Sequence, residues 1–147
     1  MTVYTDGACR GNPGPGGWAW AVPGGRYASG AESHTTNQRM EITAAMEALR
    51  ALTVERPAGI DVVSDSLYVV KAFTDRWWEG WLRRGWKNAA KKPVANRDLW
   101  EQLLPLALAP EVPVAFHWVK GHSGDHWNDV VDELATMAAD RGAGTSG

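Results

Sequence analysis

A chain of 147 residues, 44% of them hydrophobic, is long enough for one domain that buries roughly two thirds of its unfolded surface without covalent staples. Its single cysteine, Cys9, excludes an internal disulfide and any cysteine-based zinc cluster, and agrees with a reducing compartment. The net charge of −2 says nothing for nucleic acid by itself, but Lys71 to Arg97 holds eight basic and two acidic residues against seven and fifteen elsewhere, so a +6 segment sits on a −8 body. Five of the nine tryptophans (Trp77, Trp78, Trp81, Trp86 and Trp100) lie in or beside that segment.

The chain begins with a β-branched and aromatic run. Thr2 to Thr5 is predicted as a strand ending on Asp6, followed by a glycine- and proline-rich loop to Gly17, so the carboxylate stands where backbone can approach a ligand. An Asp before a Gly is also ordinary turn chemistry, so the other acids must decide. Trp18 to Val22 and Arg26 to His34 read as two more strands joined at Pro23-Gly24-Gly25. No apolar run approaches transmembrane length, and a strand starting at Thr2 leaves no room for a signal peptide; a cytoplasmic protein without membrane contact is expected.

Thr35 or Thr36 caps a helix with Ile42, Ala45, Met46, Leu49 and Leu52 at helical spacing, which places Glu41 in its first turn, where a carboxylate also suits the helix dipole. Ile60 to Ser64 is the next strand, ending on Asp65 before a short helix through Leu67, Val70 and Phe73. A strand reached through a helical crossover is expected to lie parallel to the first, which brings Asp6 and Asp65 side by side at the end of the sheet where open α/β folds bind ligands.

Trp77 to about Arg84 is predicted helical, with a basic loop after Gly85; Trp77, Trp81 and Arg84 share one helical face. Such a face is either ordinary packing or an aromatic and cationic surface suited to a sugar-phosphate backbone. Asn96 starts a helix running from Arg97 to about Leu108, and Val112 to Val119 is the last strand. The loop Lys120 to Gly124 then holds His122 between glycines. A final helix, His126 to Asp140, takes Asp125 as its N-cap and carries Asp132 on the shoulder of its apolar face, with Asp129 as a reserve ligand. Residues 1–141 are thus read as one domain and 142–147 as a frayed, flexible tail.

Asp6, Glu41, Asp65 and Asp132 converge in this reading. Four like charges need cations, and an all-oxygen set selects hard divalent ions, magnesium or manganese. Two such ions about 4 Å apart suit phosphodiester hydrolysis. His122, on its loop, is either a proton carrier or a solvated surface histidine. His117, His122 and His126 match no usual closed zinc site.

The blocks T-D-G-A-C-R-G-N-P-G-P-G-G, T-N-Q-R-M-E-I-T-A-A, V-S-D-S-L-Y-V, R-R-G-W-K with K-K-P-V-A-N-R-D-L-W, and V-K-G-H-S-G with N-D-V-V-D-E-L-A, in this order, resemble type 1 ribonuclease H over nearly the whole chain. The resemblance implies an α/β ribonuclease H-like fold: a mixed five-stranded sheet of order 3-2-1-4-5 flanked by helices, with a basic protrusion. It implies endonucleolytic hydrolysis of the RNA strand of RNA/DNA hybrids, with little base-sequence specificity, giving 3′-hydroxyl and 5′-phosphate ends. Asp6, Glu41, Asp65 and Asp132 match the family's metal ligands for two Mg2+ ions, with Mn2+ as a substitute, and His122 matches its proton-transfer histidine. Asn12, Asn37 and Gln38 match polar residues that reach into the hybrid's minor groove, where close backbone at Gly7, Ala8 and Cys9 can meet a 2′-hydroxyl, and Thr36 with Asn96 match a DNA-phosphate pocket. Trp77, Trp81, Arg84, Trp86 and Lys87 fall in the protrusion that grips the DNA strand. A monomer is expected.

Two positions depart from the family pattern. His34 stands where an arginine usually completes the phosphate pocket, and Leu67 replaces a residue that is often polar or methionine. The competing readings are another nuclease of the same fold group and, from a different class, a non-catalytic hybrid-binding module. The tryptophan-rich protrusion with K-G-H-S-G opposes the first, and the presence of all four acids opposes the second.

Overall fold

In a computed structural model describing residues 1–147, the first strand is the centre of the sheet, with a strand paired on each edge and both faces covered. β1 (Thr2–Cys9) pairs antiparallel with β2 (Gly14–Ala21), and β2 with β3 (Tyr27–Thr35). On its other side β1 runs parallel to β4 (Ile60–Ser64), and β4 parallel to β5 (Val114–Trp118). The order is β3-β2-β1-β4-β5, the mixed α/β sheet that the resemblance implies.

The period-two alternation of β1 divides the core into two layers. Val3 faces α1 (Asn37–Leu52) and joins the main core with Ile42, Leu49, Val62, Trp100 and Leu103. Tyr4 and Ala8 face the other way, against the smaller cluster of Ala19, Ala21, Val131 and Ala135 beneath α5 (His126–Arg141). Glycine sets how closely α5 can lie: a Cβ on Gly17 would stand 2.2 Å from the Ala135 carbonyl oxygen. The remaining helices are α2 (Leu67–Thr74), α3 (Trp77–Arg83) and α4 (Arg97–Leu108). Thr36 caps α1 by accepting from the Arg39 N–H, and Asp125 caps α5 by accepting from the Asn128 N–H at 3.1 Å, each worth about 1 kcal/mol.

Four expectations need correction. β1 does not stop at Asp6 but continues to Cys9, because β2 supplies partners through Cys9↔Gly16 that weak strand propensity in a glycine-rich run does not announce. Glu41 is the fifth residue of α1 and lies beyond its first turn. Trp81 does not share an open surface with Trp77; it is 8% exposed and meets Trp100 edge-on at 5.0 Å. The segment 142–147 is not frayed. Its last three residues, 145–147, lie antiparallel on β3, with the Tyr27 N–H donating to Gly147 O at 3.0 Å and the Ser29 N–H to Thr145 O at 2.7 Å. Backbone pairing of this kind leaves no apolar pattern to read.

Candidate active site

The parallel ladder between β1 and β4 ends at Thr5↔Ser64, so Asp6 and Asp65 are the first residues beyond it on adjacent strands. Helix α1 brings the third acid. It can press against β1 because residue 7 has no side chain: a Cβ there would lie 2.5 Å from the Glu41 backbone nitrogen and from the Met40 carbonyl carbon. Each of Asp6, Glu41 and Asp65 then offers a carboxylate oxygen within 4.8 Å of the others. Asp132, from α5, lines the same cleft of about 560 Å³, together with Gly7, Ala8, Cys9, Asn37, Gln38 and His122. It stands outside the tight trio, yet its charge acts on Asp6.

Burial controls the electrostatics. Asp6 is 3% exposed and Glu41 6%. Desolvation pushes the Asp6 carboxyl up to about 8; the neighbouring Glu41 carboxyl and the Gly7 N–H, 2.9 Å from Asp6 Oδ1, oppose it, while the charges of Asp65 and Asp132 push the same way. Glu41 is also held well above the ordinary carboxyl range, first by burial and then by the charge on Asp6. Its Oε2 is buried and accepts no hydrogen bond. A buried acceptor without a donor, beside two more carboxylates, costs free energy unless a cation meets it. The donors are oxygens only, so the group fits a hard divalent ion.

His122 is exposed on the cleft wall, with left-handed backbone (φ 55°) in the glycine-flanked loop. Asn12 braces the cleft edge by accepting from the Asn37 N–H at 3.0 Å. Thr36 uses its hydroxyl as the α1 cap. Asn96, also left-handed (φ 60°), faces the Arg39 guanidinium on one side and the Tyr68 hydroxyl on the other. Arg39 forms a bidentate pair with Asp98 at 2.9 and 2.7 Å, which ties α1 to α4 near Thr36 and Asn96.

On the protrusion, Trp77 is 39% exposed and lines a hollow with Arg76, Arg83, Arg84 and Asn88. Trp86 stacks on Trp81 and carries the Arg97 guanidinium 5.2 Å above its ring. Lys87 is exposed, and its carbonyl accepts from Arg84. Trp81 anchors this aromatic wall rather than presenting it. Tyr68 is a cleft residue that the apolar spacing of α2 concealed: its ring lines the cleft, and its hydroxyl accepts from the Trp100 indole N–H at 3.1 Å.

Known proteins agree with this geometry. The RNase H family model matches residues 1–140. The chain is 51% identical to ribonuclease H of Thermus thermophilus over 148 residues, covering 99% of this chain and 87% of that one. It is 51% identical to ribonuclease H of Pelobacter propionicus over 144 residues, covering 94% and 83%. Among solved structures, LC9-RNase H1, a type 1 RNase H with the type 2 active-site motif, superposes with a TM-score of 0.81 at 32% identity, covering 99% of this chain and 76% of that one. LC11-RNase H1, solved with an RNA/DNA hybrid, shares the fold with a TM-score of 0.72 at 22% identity, covering 96% and 97%. A nuclease by these relatives and by its cluster of acids, the chain belongs to the type 1 ribonuclease H family.

Proposed function

We propose that this protein cuts the RNA strand of RNA/DNA hybrids endonucleolytically, with two divalent cations, Mg2+ or Mn2+, held by Asp6, Glu41, Asp65 and Asp132. The carrying observation is the trio Asp6, Glu41 and Asp65 within 4.8 Å, with one buried Glu41 oxygen lacking any donor. When bound, such ions lower the pKa of an attacking water and offset charge on the leaving oxygen, which gives 3′-hydroxyl and 5′-phosphate ends.

The chain's own groups do the rest. Asp6 and Glu41, rigid on β1 and α1, hold a shared negative site that excludes bulk water. His122, exposed on the cleft wall, moves a proton at its ring nitrogen as the cut strand departs. Close backbone at Gly7 and Cys9, with Asn12, Asn37 and Gln38, meets the 2′-hydroxyl side of the minor groove. Trp77, Trp86, Arg84 and Lys87, braced by Trp81, hold the DNA strand by stacking and charge, while Thr36 and Asn96 receive a DNA phosphate. His34, exposed two residues before Thr36, brings no bidentate guanidinium to that contact.

The test is one end-labelled RNA presented as hybrid, as duplex RNA and as single strand, with Mg2+, Mn2+ or chelator. Cutting of the hybrid alone, lost with chelator and reduced at least about 100-fold in Asp65→Asn, is expected. Binding without turnover would instead mark a hybrid-binding module.

A further inference from the structure

The β5–α5 segment touches Asp65 twice, and neither contact is explained by packing. Trp118 is the last residue of β5, paired with Ser64 at the end of the β4–β5 ladder. The ladder's last backbone bond runs from the Val119 N–H to Ser64 O at 3.0 Å. The next carbonyl, that of Asp65, accepts the Trp118 indole N–H instead, at 3.0 Å. Trp118 is 45% exposed, so apolar burial does not account for an indole held there; its one hydrogen bond does. Three residues on, Gly121 abuts the carboxylate itself. A Cβ at that position would stand 2.8 Å from Asp65 Oδ2, and the Gly121 backbone does not need left-handed φ. Its lack of a side chain therefore serves the approach to Asp65.

We infer that Trp118 and Gly121 are positioning residues for Asp65. The indole fixes the peptide that follows the strand, and Gly121 leaves the carboxylate the room it needs beside Asp6 and Glu41. The Ser66 N–H, bonded to Ser64 Oγ at 3.1 Å, holds the same turn from within. The three bonds leave the Asp65 backbone little freedom, so its carboxylate is presented to a cation from one fixed point of the chain. The same short segment leads directly to His122, so the acid and the histidine share one support.

This rests on the cation-binding reading of the acids, and the experiment separates the two. Mg2+ binding to the metal-free full chain is measured by calorimetry for the parent, Trp118→Phe and Gly121→Ala, beside metal-free melting temperature and hybrid cleavage at several Mg2+ concentrations. Trp118→Phe keeps an aromatic ring at a half-exposed site and removes the donor with part of the ring area, so its metal-free melting temperature should fall by no more than about 4 °C. Its Mg2+ Kd is expected to rise about 10-fold, with KM for the hybrid unchanged and kcat restored by excess Mg2+. Gly121→Ala is expected to weaken Mg2+ by a similar factor with the fold retained. Parent-like Mg2+ affinity in both variants overturns the inference and leaves the metal reading intact. Absence of Mg2+ binding in the parent overturns both.

Discussion

Asp6→Asn, which removes an acid from the candidate active site, should stabilise the metal-free protein, and the gain should grow with pH. An unfolded aspartate ionises at its ordinary value of 3.8, whereas folded Asp6 holds its proton to about 8. Between those values the unfolded state binds fewer protons than the folded one. Stability from this group is therefore fully present below pH 4 and is lost as pH rises towards 8. At 1.36 kcal/mol per pH unit, the loss by pH 7 reaches at most about 4 kcal/mol, and relaxation of the site reduces it to about 2. Asparagine escapes that loss. It still accepts from the Gly7 N–H, and its amide can donate towards Glu41 Oε2, which has no partner. Urea unfolding followed by tryptophan fluorescence in chelator, at pH 4.5, 6, 7 and 8, reads the difference. A variant that is less stable than the parent, or a difference flat with pH, would refute the reasoning. Added Mg2+ should reverse the order, because it stabilises the parent by mass action and the variant less.

Gly7→Ala should be much more harmful than its size suggests, because the new methyl meets α1 backbone at 2.5 Å; a loss of about 2–4 kcal/mol in urea unfolding is expected. Arg39→Ala opens the bidentate pair with exposed Asp98 and should cost only about 0.5–1 kcal/mol at neutral pH. The Asp98 carboxyl is held below its ordinary value, first by its hydrogen bond to Arg39, so this contribution is present above about pH 4 and fades as pH falls through the lowered folded value. Parent and variant curves should merge in acid. Gly144→Val puts a side chain where a Cβ alone would lie 1.8 Å from Ser29 O. It should release the last residues from β3, seen as faster hydrogen exchange at the Tyr27 and Ser29 amides.

Much of this was legible without coordinates. β4 and α4 have the extents that their patterns indicate, because each is bounded by turn residues: Gly59 and Asp65 for one, Asn96 and Pro110 for the other. Asp6 and Asp65 could be paired by topology alone, since a crossover between parallel strands places their ends together. What stayed hidden depends on partners far along the chain. The missing side chain of Gly7 matters only against Glu41, and that of Gly121 only against Asp65. Trp77 and Trp81 have the same spacing whichever one the core takes, and only the position of Trp100 decides it. The indole bond from Trp118 to Asp65 joins residues whose separation carries no periodic signal.

The docking of residues 142–147 has a consequence for how the molecule avoids its own kind. β3 is the longest strand, nine residues, and it forms one edge of the sheet, while the opposite edge, β5, has five. A long unpaired edge is a template for another chain's strand. By occupying the Tyr27 and Ser29 amides, the tail shortens that template to its far half, where Glu32 stands exposed. Variants that free the tail should then show their defect in crowded solution, as association between copies, before they show it in catalysis.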